Sequence, residues 1–117
     1  MRKHSTIATG AETLLMLDIV GAFRDIAPHM QAQAIQTFLV VAGKPGMTFS
    51  EIAEAVHFST SSASRNIRRL ADGIDGKNGF HLLSTFQDGS DARIRRATLS
   101  KKGLELVSRL ETRMQRD

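Results

Sequence analysis

The chain has 117 residues, 41% of them hydrophobic, with 16 Lys/Arg against 12 Asp/Glu and no cysteine. That length suits one domain with its own core, and the composition is neither polar nor charged enough for a disordered chain. No apolar run reaches membrane-spanning length, no secretory signal pattern opens the chain, and absent cysteine removes disulfides, thiolate metal sites and thiol redox sensing. A cytoplasmic protein with no membrane contact is the expectation. The charge is uneven. Residues 1–56 carry four Lys/Arg against five Asp/Glu, whereas residues 57–117 carry twelve against seven. A positive excess confined to the second half suggests a surface there that meets a polyanion.

In chain order, residues 1–9 read as a flexible basic N-terminus and residues 10–117 as one domain. "AETLLMLDIVGAFRDIA" (11–27) predicts a first helix. Leu14, Leu15, Met16, Leu17, Ile19, Val20 and Phe23 cover more than one of its faces, so it needs burial on several sides. A partner subunit or the centre of the monomer core would each supply that burial. Pro28 tolerates the first turn of a second helix, "HMQAQAIQTFLVVAG", whose apolar residues recur every three or four positions until Gly43 and "KPG" stop it. A third helix starts in "MTFSEIAEAVHF", where Thr48 and Glu51 have capping-box spacing. Ser59 offers the N-cap of a fourth, about 60–71. So short a connection forces a steep crossing, the signature of a helix-turn-helix over 48–71.

Residues 72–80, "DGIDGKNGF", read as a loop. "HLLSTF" (81–86) and "RIRRATL" (93–99) read as two strands joined through the Asp88-Gly89 turn signal. They form a hairpin wing over 81–99. Ser100 caps a last helix with Leu104, Val107, Leu110 and Met114 on one stripe. Leu14, Leu15 and Leu17 of the first helix, with Leu106, Leu110 and Met114 of the last, are the candidate contacts between two copies. The fold class is mainly α with one small β-hairpin: a winged helix-turn-helix flanked by N- and C-terminal helices that mediate dimerisation.

The fourth helix carries five Ser or Thr residues in the six positions 59–64, followed by three arginines. At 100° per residue, Ala63, Ile67 and Leu70 share one narrow face, while Ser61, Arg65 and Arg68 fall opposite, with Ser62 and Arg69 beside them. Small hydroxyls let a backbone approach DNA closely, and Arg can fork to guanine in the major groove. Ser59, Thr60, Ser61, Ser62, Ser64, Arg65, Arg68 and Arg69 are therefore the candidate recognition-helix contacts. Capping plus solvated charge would explain each of them singly; their conjunction with the tight turn and the hairpin favours DNA.

In the hairpin, "SDARIRRATLSKKG" resembles the wing of the multiple-antibiotic-resistance-regulator (MarR) family. That pattern has an Asp-x-Arg pair, basic residues, Leu-Thr/Ser and a nearby Gly, here Asp91, Arg93, Arg95, Arg96, Leu99, Ser100 and Gly103. "GMTFSEIAEAVHFSTSSASRNIRRL" is similar to the family's helix-turn-helix segment, and the resemblance spans roughly 30–110. It implies that Arg93 enters a minor groove, that Asp91 holds it, and that Arg95 or Arg96 meets phosphate, with Ser90 beside them. The long 72–80 segment and the single C-terminal helix depart from the family pattern. No effector is implied.

His4, His29, His57 and His81 lack metal-ligand spacing, and no phosphate loop or nucleophile elbow occurs. No enzyme, cofactor or metal is expected. The reading is a homodimeric, sequence-specific double-stranded DNA-binding regulator, most simply a repressor on a near-palindromic operator. A replication or plasmid- or phage-maintenance protein with the same fold, or a winged-helix protein-contact module, stays open.

Overall fold

The computed structural model describes residues 10–115. The basic segment 1–9 lies outside them. Helix α1 (Ala11–Ile26) begins one residue after Gly10. Met30 N–H donates to the Ala27 carbonyl (3.0 Å), closing a turn with Pro28 at its second position, where a fixed φ is favoured. That use of Pro28 delays α2 to Ala32–Gly43, three residues after the predicted start.

Strand β1 (Met47–Thr48) escaped the sequence reading because two residues give no periodicity. Helix α3 (Phe49–Val56) starts with the expected capping box. Glu51 N–H donates to Thr48 Oγ1 (3.1 Å), and Thr48 N–H donates to Glu51 Oε1 (2.9 Å). His57 takes a left-handed conformation (φ 61°) and ends the helix. Ser59 accepts from Ser62 N–H (3.1 Å) and caps α4 (Thr60–Leu70) two residues later. These two caps around one left-handed residue are what make the steep turn possible.

Residues 72–80 are not a plain loop. Strands β2 (Gly73–Ile74) and β3 (Lys77–Asn78) pair as a miniature hairpin. Gly73 has φ 100°, and a Cβ there would run into the Lys77 carbonyl, so the turn requires glycine. The chain then returns along the end of α4. Phe80, His81 and Leu82 N–H donate to the Arg69, Ala71 and Leu70 carbonyls at 3.0, 2.9 and 2.7 Å. The long segment is therefore a side excursion, and the wing's root is pinned directly to α4.

Strands β4 (Leu83–Gln87) and β5 (Arg95–Leu99) form the wing. β1 adds to its other edge, in the order β1-β5-β4, with Met47 opposite Ala97 and Thr48 opposite Arg96. Ser100 caps α5 (Lys101–Met114). Gly103 in its first turn rests on the Leu82 carbonyl, a contact no Cβ could share.

The core lies among α2, α3, α4 and the sheet, where Phe38, Val41, Ile52, Ile67, Leu70, Leu82 and Ala97 are fully buried. Phe23 of α1 stands edge-on to Phe38, with centroids 5.7 Å apart. Arg113 of α5 donates through Nε to Asp18 Oδ2 of α1 (2.9 Å). Leu106 and Leu110 correct an expectation: they are 1% and 3% exposed and belong to this chain's own core. The α5 stripe turns out to run through Gly103, Leu106 and Leu110, leaving Leu104 and Met114 outside. Of α1, only Ala22 and Phe23 are buried.

Candidate nucleic-acid interface

Helix α4 is held by one face. Ala63, Ile67 and Leu70 are fully buried, and Asn66 between them donates through Nδ2 to the Ser62 carbonyl (3.0 Å). The opposite face is open: Ser59, Thr60, Ser61, Ser62, Arg65 and Arg68 are exposed, and Ser64 and Arg69 are half-buried. The hydroxyls gather at the N-terminal end and the guanidiniums follow. The predicted division of the helix into an apolar anchor and a hydroxyl-guanidinium face is present.

At the far end of the wing, Asp88 and Asp91 organise the turn. Asp88 Oδ2 accepts from Ser90 N–H (3.0 Å), Ser90 Oγ–H (2.6 Å) and Asp91 N–H (3.2 Å). Its other oxygen accepts from Arg96 Nε (2.7 Å). The Ser90 hydroxyl, the Arg96 guanidinium and the Ser90 amide hold the Asp88 carboxyl well below the usual carboxylate range. Asp91 accepts from Arg93 three times: from the backbone N–H (3.0 Å), Nε (3.1 Å) and Nη2 (2.9 Å). This fork lowers the Asp91 pKa, with the nearby Asp88 charge opposing, and raises that of Arg93. The Arg93 side chain is still 90% exposed. It is oriented but not covered.

Strand alternation separates the last two arginines. Arg95 shares the sheet face of Thr85 and Ala97, on which the helices pack. Its Nη2 donates to Thr85 Oγ1 (2.9 Å), and its guanidinium lies 5.9 Å from the centroid of Phe49 at the start of α3. Arg96 is on the other face. It is half-buried, bonded through Nε to Asp88 and through Nη1 to the Gly46 carbonyl (2.7 Å). Two of the three guanidinium nitrogens of Arg96 are therefore engaged within the protein, and its side chain is 33% exposed.

Two open grooves connect the elements. Arg68, Asp72, Asp75 and Thr85 border one, between the end of α4, the miniature hairpin and β4. Thr48, Phe49, Ser50, Arg93, Ile94 and Arg95 border the other, between the start of α3 and the wing. Arg95, which borders the second, is bonded to Thr85, which borders the first. Arg68 of α4 and Arg93 and Arg95 of the wing thus line two grooves linked by that one hydrogen bond.

The expected inter-copy contacts divide. Leu14, Leu17 and Met114 are 64%, 67% and 53% exposed, Leu15 is half-buried, and Leu106 and Leu110 are internal. Sequence reasoning missed Asp88, Gly46, Phe49 and Thr85. Asp88-Gly-Ser was legible as an Asx-type turn; the Gly46 carbonyl and the Phe49 ring left no sequence signal. Among the described residues, no cluster of three or more His, Asp or Glu side chains is arranged to hold a metal, and no helix is long and apolar enough to cross a membrane.

No protein-family model matches the sequence, and no curated protein matches it. Solved structures do match the fold. The crystal structure of MarR is 15% identical, with a TM-score of 0.62, over 94% of this chain and 77% of that one. Streptomyces coelicolor PcaV, a transcriptional regulator solved with its natural ligand, is 19% identical, with a TM-score of 0.60, over 97% and 78%. Streptococcus pneumoniae FabT, solved in complex with DNA, is 17% identical, with a TM-score of 0.65, over 88% and 66%. The fold is that of the MarR-type winged-helix regulators, as the wing motif implied.

Proposed function

We propose that the chain is a sequence-specific double-stranded DNA-binding regulator of transcription, working as a homodimeric repressor in the cytoplasm on a near-palindromic site. The observation that carries this reading is the pairing of two cationic elements. An α4 face of Ser61, Ser62, Arg65 and Arg68 stands free of the core, beside a wing whose Arg93 is held by Asp91 yet 90% exposed. Helix α4 would lie in a major groove, with Ser59, Thr60, Ser61 and Ser62 close to backbone or base edges, and with Ser64 and Arg69 at its margin. Arg65 and Arg68 would read bases. Arg93 would enter the flanking minor groove, where a narrow A·T tract concentrates negative potential. Arg95 would meet phosphate, beside Ser90. Similarity of fold to FabT, which was solved on DNA, supports the same docking.

Dimerisation is supported by the exposed apolar side chains of α1, where Leu14, Met16, Leu17 and Val20 are 64%, 59%, 67% and 47% exposed. An apolar strip of this extent marks a contact surface. Pairing there, with Leu15 and Met114 alongside, would set two recognition helices about one duplex turn apart, roughly 34 Å. Residues 10–117 would then act as one domain with helix-turn-helix 48–71 and wing 81–99. The test is titration of labelled duplex and single-stranded DNA, with sedimentation velocity on the complex. Tight, salt-sensitive binding of two chains per duplex is expected. Equal affinity for single strands, or no binding at near-physiological salt, would overturn the proposal.

A further inference from the structure

Arg96 and Asp88 form a strut that the proposed DNA contacts do not use. β1 contributes only two residues to the sheet, and one further backbone bond, from Gly46 N–H to the Ala97 carbonyl (2.8 Å), extends its pairing with β5. Arg96 extends that attachment. Its Nη1 reaches the Gly46 carbonyl at the turn that leads into α3, fifty residues away in sequence. Its Nε holds Asp88, the residue just beyond the end of β4. Asp88 in turn gathers the amides of Ser90 and Asp91, and Asp91 grips Arg93 through three donors. The links are continuous: α3 entry, Arg96, Asp88, wing turn, Asp91, Arg93. A two-stranded hairpin alone is at best marginally ordered in water. Here its outer turn is tied by charged hydrogen bonds, shorter and stronger than neutral ones, to the segment that also launches the helix-turn-helix.

We infer that Asp88 and Arg96 are positioning residues that fix where Arg93 stands relative to α4, and so set the base-pair preference at the flanks of the bound site. This rests on the DNA-binding reading above and adds two residues that act on Arg93 through the protein.

The two members of the strut carry opposite charges, and that separates geometry from simple electrostatics. If they acted only as charges, Asp88→Asn would tighten binding to every duplex and Arg96→Gln would weaken it to every duplex. If they position Arg93, both substitutions erode the same thing. The preference for A·T over G·C flanks, about tenfold if worth one base-pair mismatch, falls towards onefold in each. In an Arg93→Ala background neither should change it further, because the group they position is gone.

The experiment is competition binding of the full chain to duplexes of one central sequence with A·T or G·C flanks, for wild type, Asp88→Asn, Arg96→Gln, Arg93→Ala and the two doubles. Amide exchange at Ser90 and Asp91 in the free protein is read in parallel and should quicken in Asp88→Asn and Arg96→Gln. If Arg96→Gln fails to fold, Arg96→Lys replaces it; it keeps the charge but lacks the two separate nitrogens that serve Asp88 and Gly46, and reduced preference is again expected. Flank preference that depends on Arg93 yet survives both strut variants would overturn the inference and leave the DNA reading standing. Uniform shifts of opposite sign in the two variants would do the same. Wild-type binding with no dependence on Arg93 would overturn the wing's assignment and the inference with it.

Discussion

Arg65→Ala isolates the reading function of α4. Arg65 is exposed, six residues beyond the Ser59 cap. At 1.5 Å of rise per residue it stands about 9 Å along the helix, within the part that enters a groove. Its side chain makes no ion pair or hydrogen bond among the described residues. Truncation therefore removes nothing that holds the fold, and Ala is the better helix former by roughly 0.2 kcal/mol. The melting temperature should stay within about 2 °C of wild type. Binding should change far more. Loss of one bidentate base contact, about 1–3 kcal/mol, lowers specific affinity by roughly 5- to 150-fold per half-site. Affinity for a shuffled duplex should fall only by the share of one cation. The assay is fluorescence anisotropy against a selected and a shuffled duplex, at three salt concentrations, with thermal unfolding beside it. An equal loss on both duplexes would refute base reading by Arg65. A fall in melting temperature of many degrees would refute the claim that it is free of the fold.

Three further outcomes are expected. Leu106→Ala should cost about 2–5 kcal/mol of stability, since Leu106 is 1% exposed, whereas Leu17→Glu on the exposed part of α1 should keep the fold and shift sedimentation towards the monomer; chemical unfolding and sedimentation velocity check the pair. Asp88 has its carboxyl pKa depressed in the folded state. Its stabilisation is complete above the unfolded value near 4 and drains away as pH falls below that. Wild type should therefore lose more stability than Asp88→Asn between about pH 5 and pH 2, as urea unfolding would record. Arg93→Ala should reduce the slope of log affinity against log salt by about 2 per dimer if each Arg93 releases one counterion; an unchanged slope would detach Arg93 from the DNA.

The helices were legible because their signals are local. Thr48 with Glu51, Ser59 and Ser100 are caps written next to the helices they start, and each accepts the bond its spacing predicts. The exposed face of α4 follows from a fixed 100° step. What the sequence concealed depends on partners distant along the chain. Arg96 reads as one more wing cation until strand alternation and the Gly46 carbonyl turn it inward. Leu106 and Leu110 read as contacts between two copies, but they pack in this chain's own core beside Phe23 of α1, on the side of α5 where Gly103 rests on Leu82. The miniature hairpin at 73–78 is too short for a periodic signal, and its left-handed positions at Asp75, Gly76 and Asn78 are legible only as turn composition.

Selection of bound duplexes from a random pool, at near-physiological salt, addresses the pairing of α4 with the wing most directly. The account predicts enrichment of an inverted repeat with half-site centres about 10 base pairs apart, flanked by A·T-rich steps. A pool that returns no shared sequence, or a single asymmetric half-site with indifferent flanks, would contradict it.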